Sequence, residues 1–218
     1  DRSRGLGDVY KRQDEWMDRF ERRQTKPDAF YVSAQQTVQC DYMNRTYAMH
    51  PYTRGEGFTR SALSLKNGGR MVFILPDQGV SVDTLLASPQ KAASLFLGVD
   101  RGTGKVVFQI PKFSFGSKLN LKKTLHAMGV RCAFESDQAD FSGMTQDQAF
   151  FSQILQETHI AIDEKGVEAA AFTKLDYAGT AAPNEKEAYM ILNRPFLYGI
   201  VSDGVLLFAG VCNQPAES

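Results

Sequence analysis

Residues 163–177 constrain the fold of this chain more than any other stretch. Every second residue from Val167 is small or apolar: Val167, Ala169, Ala171, Thr173, Leu175 and Tyr177. The interleaved set is Glu168, Ala170, Phe172, Lys174 and Asp176. Successive side chains of a strand point to opposite faces, so the first set can face a core while most of the second meets water. Phe172 is the exception on the outward side. Downstream, residues 178–186 are small, polar and punctuated by Gly179 and Pro183, the composition of an exposed loop. A stretch written for burial in a sheet but continuous with exposed loop belongs to a chain with two packings open to it. The plainer reading is an edge strand followed by a turn, because alternation over so few residues is common and alanine is a weak strand former.

The rest of the chain is strand-rich. Two short strands are predicted over 30–43, with a polar turn from Ser33 to Gln36. Residues 58–65 alternate and 71–75 are almost continuously apolar, on either side of Asn67-Gly68-Gly69. That combination predicts a hairpin with an exposed first arm and a buried second. Helix is predicted over 82–96, interrupted by Pro89, and over 121–128, ended by Gly129. Further strands are predicted over 106–110, through Phe113 and Phe115, over 150–161, and over 189–192, 196–201 and 205–211. Asp203-Gly204 turns the chain between the last two. With no internal repeat and no low-complexity linker, one domain is the economical reading.

Composition removes several classes of function. The chain has 218 residues, 43% of them hydrophobic, with 25 Lys and Arg against 25 Asp and Glu. A balance near zero gives no electrostatic case for nucleic acid or an anionic membrane surface. No run reaches the roughly 18 apolar residues that span a bilayer. Cys40, Cys132 and Cys212 lie far apart without a C-x-x-C pair, which predicts buried free thiols. His50, His126 and His159 have no metal-ligand spacing, so no metal and no cofactor are expected. The glycines of 98–106 miss the phosphate-loop spacing, and Val106 stands where a hydroxyl would be needed, so a surface turn is expected there. No set of residues assembles a nucleophile, a base and oxyanion donors, and the chain reads as a non-enzyme. Residues 1–13 are rich in Arg, Gly and Asp without apolar periodicity, and read as a non-native or disordered tail outside the fold.

Residues 164–171, E-K-G-V-E-A-A-A, resemble the hinge of the serpins, the serine protease inhibitors, where an acidic residue, a glycine and a run of alanines begin the reactive loop. Several other segments are similar to the same family. They are the 190–200 run around Asn193-Arg194-Pro195-Phe196, the closing strand 207–211, and Ile110-Pro111-Lys112-Phe113 with the helix after it. Val72 to Asp77 resembles an internal strand ending in L-P-D, and Trp16, with Phe20, Thr25 and Phe30 behind it, resembles the family's tryptophan at the top of the main sheet. A histidine of the family's mid-sheet falls on Gln156 here, whose amide can hydrogen-bond but not titrate.

The resemblance is to the C-terminal part of a bacterial member. It implies an α+β fold of mostly antiparallel sheets with a few helices, incomplete because the N-terminal part is absent. Residues 14–218 would then be the C-terminal part of a single serpin domain, with a reactive loop over 166–188. The implied hinge is Glu164, Gly166, Val167, Glu168, Ala169, Ala170, Ala171 and Thr173. The implied structural switch residues are Trp16, Gln156, Pro195 and Phe196. Counting forward from the hinge at the family's interval puts the reactive bond at Thr180-Ala181, whereas counting back from Pro195 puts it nearer Asn184. The implied activity is that of a suicide substrate: a serine protease cleaves the loop, and the cleaved loop inserts into the main sheet and traps the acyl-enzyme. The small residues 178–182 suit an elastase-like or subtilisin-like partner. The family also implies secretion, with the leader outside this chain. The alternative is a non-inhibitory binding protein or chaperone of the same fold. Without the missing strands the loop has no slot to enter, so the chain alone is expected to be inactive.

Overall fold

The tyrosine- and valine-bearing stretch after Gln36 forms one long strand rather than a short one. In the computed structural model, which describes residues 14–167 and 187–215, this strand is the 19-residue β3 (Thr37–Gly55). Its predecessors are β1 (Asp14–Glu15) and β2 (Lys26–Tyr31). The expected end near Met43 is overrun because β3 has partners along its whole length. It pairs with β2 through Thr37–Tyr42, with β4 (Phe58–Ser64) through Tyr52–Gly55, and with β6 (Gly102–Pro111) along its middle. Tyr42 and Met43 are adjacent yet both fully buried. Both faces of the sheet are therefore covered at that point, which erases the period-2 pattern on which strand recognition rests. A register shift between Tyr47 and His50 bends the strand further along.

Residues 58–76 make the expected hairpin, β4 followed by β5 (Arg70–Pro76). Its second arm is buried from Met71 to Pro76. The first arm is not the exposed one anticipated, because Arg60, Ser61 and Leu63 are buried too. Arg60 is accommodated by complete pairing. Its guanidinium donates to Asp100 Oδ1 at 2.9 Å, to Thr53 Oγ1 at 3.2 Å, and to the Ser94 and Leu95 carbonyls at 3.2 Å each. A buried guanidinium is tolerable only with its donors satisfied in this way.

Pro89 divides the predicted helix 82–96 into α1 (Val82–Leu85) and α2 (Pro89–Leu97). Proline sits at the start of α2, where its missing N–H costs nothing, and Ser88 caps the Lys91 amide. Both helices lay Val82, Leu85, Leu95 and Phe96 on Val72 and Ile74 of β5 and on Leu197 and Val201 of β11 (Phe196–Ser202). Gly199 makes room for this packing, since a β-carbon there would lie 2.7 Å from the Phe96 ring. The surface turn expected over 98–106 ends early. Gly102 and Gly104 already belong to β6, opposite Tyr52 and His50 of β3.

The larger sheet has eight strands in the order β10-β6-β3-β4-β5-β11-β12, with β2 beside β3. Here β10 is Glu187–Ile191 and β12 is Val205–Cys212. Among the described residues its strands pair antiparallel, except β10 with β6. Asp203 and Gly204, both at positive φ, turn β11 into β12. A second sheet has the order β1-β9-β8-β7, where β7 is Phe113–Asn120, β8 is Leu155–Ile162 and β9 is Gly166–Val167.

The chain divides into two compact units, Asp1–Ser114 with Ile160–Ser218, and Phe115–His159. The second unit carries most of β7 and β8, the helix α3 (Lys122–Ala127) and a small aromatic cluster. In that cluster Phe134 meets His126 at 5.0 Å and Phe151 at 6.3 Å. Gly129, at φ +94°, ends the α3 region as its sequence requires. The three cysteines are free, but only Cys212 is buried; Cys40 is half-buried and Cys132 exposed. Cys132 lies in a one-turn helix, Cys132–Phe134, among polar loop residues, which accounts for its exposure.

Candidate functional site

The turn between β8 and β9 is set by one side chain. Asp163 Oδ1 accepts from the amides of Lys165 at 2.7 Å and Gly166 at 3.2 Å, while the Asp163 amide donates to the Gly166 carbonyl at 3.2 Å. An aspartate closing a turn on its own following amides is a local preference of that side chain. The turn sends the chain back along β8, with Val167 opposite Ile162. On its other side β9 pairs antiparallel with β1, Val167 opposite Asp14 and Gly166 opposite Glu15. The first two residues of the expected loop therefore already lie in a sheet, with a strand on each side.

Gly166 is placed by lack of room. A β-carbon there would meet the Asp14 carbonyl oxygen at 2.0 Å and the Glu15 Cα at 2.5 Å. Only glycine allows two backbones to approach this closely.

The turn is latched from the side. The Trp16 indole N–H donates to the Asp163 carbonyl at 2.8 Å, and the Trp16 amide to the Lys165 carbonyl at 3.0 Å. Trp16 is buried, edge-on to Phe20 at 5.9 Å and beside Phe73 at 6.5 Å. It also bridges to Leu65, just beyond β4. The Phe20 amide donates to the Glu164 carbonyl at 3.0 Å.

Glu164 is 6% exposed, which a lone carboxylate would not tolerate. Its Oε1 accepts from the Thr25 hydroxyl at 2.9 Å and from Lys112 Nζ at 3.3 Å. Burial pushes this carboxyl up, but its own backbone amide, Thr25 and Lys112 together outweigh that and hold it below its ordinary value. The ionised form is thus the one the fold holds.

Phe196 is fully buried at the start of β11, within 6.1–6.5 Å of the rings of Phe113, Phe73, Tyr198 and Phe30. Pro195 before it is half-buried. Arg194 secures this corner by donating to the Pro76 carbonyl at 2.7 Å and 3.1 Å. Gln156 is exposed on β8, in the second unit.

Of the residues named from the sequence, Glu164, Gly166, the Val167 backbone and Trp16 come together at one end of β8. Glu168, Ala169, Ala170, Ala171, Thr173 and the bond Thr180-Ala181 lie outside the described residues. Sequence reasoning placed Thr25 behind Trp16 but did not single out Asp14, Lys112 or Asp163 as parts of this site. Lys112 carried a signal, as a lone cation between Pro111 and Phe113 at the end of an apolar strand. Among the described residues no group of His, Cys, Asp or Glu has the make-up of a metal site, and no helix is long and apolar enough to cross a membrane.

A profile of the family described as serpin (serine protease inhibitor) matches residues 13–215. The chain is 33% identical over 206 residues to an alpha-1-antitrypsin homolog of Cyprinus carpio, covering 93% of this chain and 54% of the relative. It is 29% identical to alpha-1-antiproteinase of Rattus norvegicus, covering 93% and 49%. Among solved structures it is similar to Serpin48 of the insect Tenebrio molitor, at TM-score 0.76 and 27% identity, covering 93% and 54%. It is also similar to the thermophilic serpin tengpin in its native state, at TM-score 0.70 and 28% identity, covering 90% and 52%. The chain thus spans about half the length of the relatives it matches. None of these relatives assigns it to a bacterial source. The mostly antiparallel α+β architecture agrees with these folds, and the match over 13–215 makes the conclusion plain: the chain belongs to the serpin family.

Proposed function

We propose that a full-length serpin carrying this sequence inhibits serine proteases as a suicide substrate. The cleaved segment after Val167 would continue β9 between β1 and β8. The observation that supports this is the two-sided pairing of β9, with Asp14–Glu15 on one flank and Ile162 on the other. A strand that is to be added to a sheet must find unsatisfied amides and carbonyls on both neighbours. Serpin loop insertion is a recognised instance of such strand addition. The alternate residues Ala169, Ala171 and Thr173 are small, which lets them enter a closed sheet quickly.

The partner is a serine protease with a shallow apolar primary pocket, elastase-like or subtilisin-like, because residues 178–182 are all small. The reactive bond is Thr180-Ala181, and the protein acts outside the cell. It performs no catalysis of its own. The chain by itself is a substrate rather than an inhibitor. Among the described residues, β1 offers only Asp14 and Glu15 as partners, against the eight residues of β8.

Incubation with elastase tests this reading. The full-length protein forms a denaturant-stable one-to-one complex, and mass spectrometry places the cut after Thr180. The 218-residue chain is cut without forming a complex. A full-length protein that is simply cleaved, or left untouched, would favour the non-inhibitory alternative.

A further inference from the structure

The seam between β3 and β4 is closed by a side chain where the backbone cannot close it. The register of the two strands stops at Tyr52 opposite Ser61. The next residue of β3 is Pro51, which has no N–H to offer the Ala62 carbonyl. His50 takes its place, with Nε2 2.8 Å from the Ala62 carbonyl oxygen. A carbonyl only accepts, so Nε2 carries the ring proton and Nδ1 of the neutral ring is bare. The Ser61 hydroxyl donates to the Pro51 carbonyl at 2.7 Å and closes the same step from the other strand. An extra residue in β3, between Tyr47 opposite Val106 and His50 opposite Gly104, re-aims the strand at this point. The imidazole is half-buried, 4.6 Å from the Tyr47 ring and 5.3 Å from the Phe108 ring of β6.

We propose that His50 is an acid-sensitive clasp between β3 and β4, closed by the neutral ring and loosened when the ring gains a charge. Burial holds the imidazole below its ordinary value of 6.5, against the Ala62 carbonyl, Asp100 and Asp18, which pull it up. Both carboxylates already serve arginines: Asp100 accepts from Arg60 at 2.9 Å, and Asp18 lies 3.8 Å from Arg45. Arg45 also stands over the Tyr47 ring at 5.0 Å, so a charged His50 adds a second cation to this cluster. Two residues beyond Ala62, the Ser64 carbonyl accepts from the Met17 amide at 2.9 Å, and Leu65 bridges to Trp16. Loosening this end of β4 therefore reaches the tryptophan that latches the Asp163 turn.

A histidine held below 6.5 in the fold contributes stability that is complete above 6.5 and is lost as pH falls from there to the folded-state value. The Glu164 carboxyl acts lower, since its contribution is lost only below 4.5. The two acid effects thus occupy different ranges. In the 218-residue chain, the ε1 proton of His50, assigned by its absence from His50→Gln, is expected to titrate with a midpoint below 6.5. A midpoint at or above 6.5 would overturn the clasp, and this measurement decides even if the variants fail to fold.

Hydrogen exchange and tryptophan emission separate a switch from a merely structural donor. Glutamine can donate to the Ala62 carbonyl but cannot titrate. Between about pH 8 and pH 5, wild type is expected to lose several-fold more exchange protection over 60–64 than His50→Gln at the same pH. Trp16, the one tryptophan of the chain, is expected to shift its emission to the red over that range in wild type and not in His50→Gln. His50→Phe keeps a ring without a donor, and is expected to lose protection over 60–64 already at neutral pH. Equal pH dependence of exchange or of emission in wild type and His50→Gln would overturn the proposal. So would full protection in His50→Phe at neutral pH, since Ala62 would then need no donor from this ring.

Discussion

A methyl group on Gly166 would lie 2.0 Å from the carbonyl oxygen of Asp14. Gly166 is absent from the positive-φ glycines, so its task is to let β9 lie against β1. Gly166→Ala is therefore expected to push β9 out of its place rather than stiffen it. Exchange of the 162–167 amides should rise and the Trp16 emission should shift to the red. The local cost is about 1–3 kcal/mol, the usual range for forcing one extra carbon into a tight site. Unchanged protection would show that the strands part easily and that the pairing is not a constraint.

The Glu164 latch depends on charge. Its carboxyl is depressed in the folded chain, so its contribution is complete above the ordinary value of 4.5 and is lost as pH falls below that, through the folded-state value. Urea midpoints of wild type and Glu164→Gln should therefore differ most near neutral pH. They should converge in acid, where the wild-type carboxyl is also uncharged. A difference that stays constant between neutral and acidic pH would remove Lys112 and Thr25 as the cause.

Among the described residues, Arg60 and Asp100 form the most buried ion pair, with side chains 4% and 14% exposed. Asp100→Ala leaves the guanidinium with Thr53 and two carbonyls but no counter-charge. A stability loss of about 3–5 kcal/mol is expected by chemical denaturation. Replacing Arg60 by Met together with Asp100→Ala removes both charges and should recover much of that loss. If the double variant is no more stable than Asp100→Ala alone, the pair contributes through packing rather than charge.

A charge on the inserting face should convert inhibition into plain cleavage. In the full-length protein, Ala169→Glu must bury an unpaired ion during insertion, which costs several kcal/mol, on the order of the penalty for a buried unpaired charge. Insertion then loses its race with hydrolysis. The number of inhibitor molecules consumed per protease trapped should rise at least several-fold, as counted by titration against elastase.

What could be read from the residues follows from where periodicity survives. The β5 run, the Pro89 break between α1 and α2, and the Asp203-Gly204 turn each rest on local chemistry, and each is found. The strand expected over 150–161 begins later, at Leu155, and Phe151 packs against the Phe134 and Phe141 rings rather than in a strand. The full length of β3 was hidden where two faces are covered at once. The same effect hid the burial of Arg60, since a charged side chain gives no sign that all its donors will be met.

At the site, the residues adjacent in sequence were legible. Glu164, Gly166 and Val167 were named from their own pattern. Thr25 and Lys112 lie 139 and 52 positions from Glu164, and no local rule joins them to it. Asp163 was passed over because its work is done on the amides of its neighbours, which a pattern of side chains does not reveal.

Thermal unfolding of the full-length protein before and after a single cut near Thr180 tests the account most directly. Continuation of β9 into the sheet should raise the midpoint sharply and protect residues 166–177 from exchange. A cut protein that melts where the uncut one does, with that stretch still exchanging freely, would contradict it.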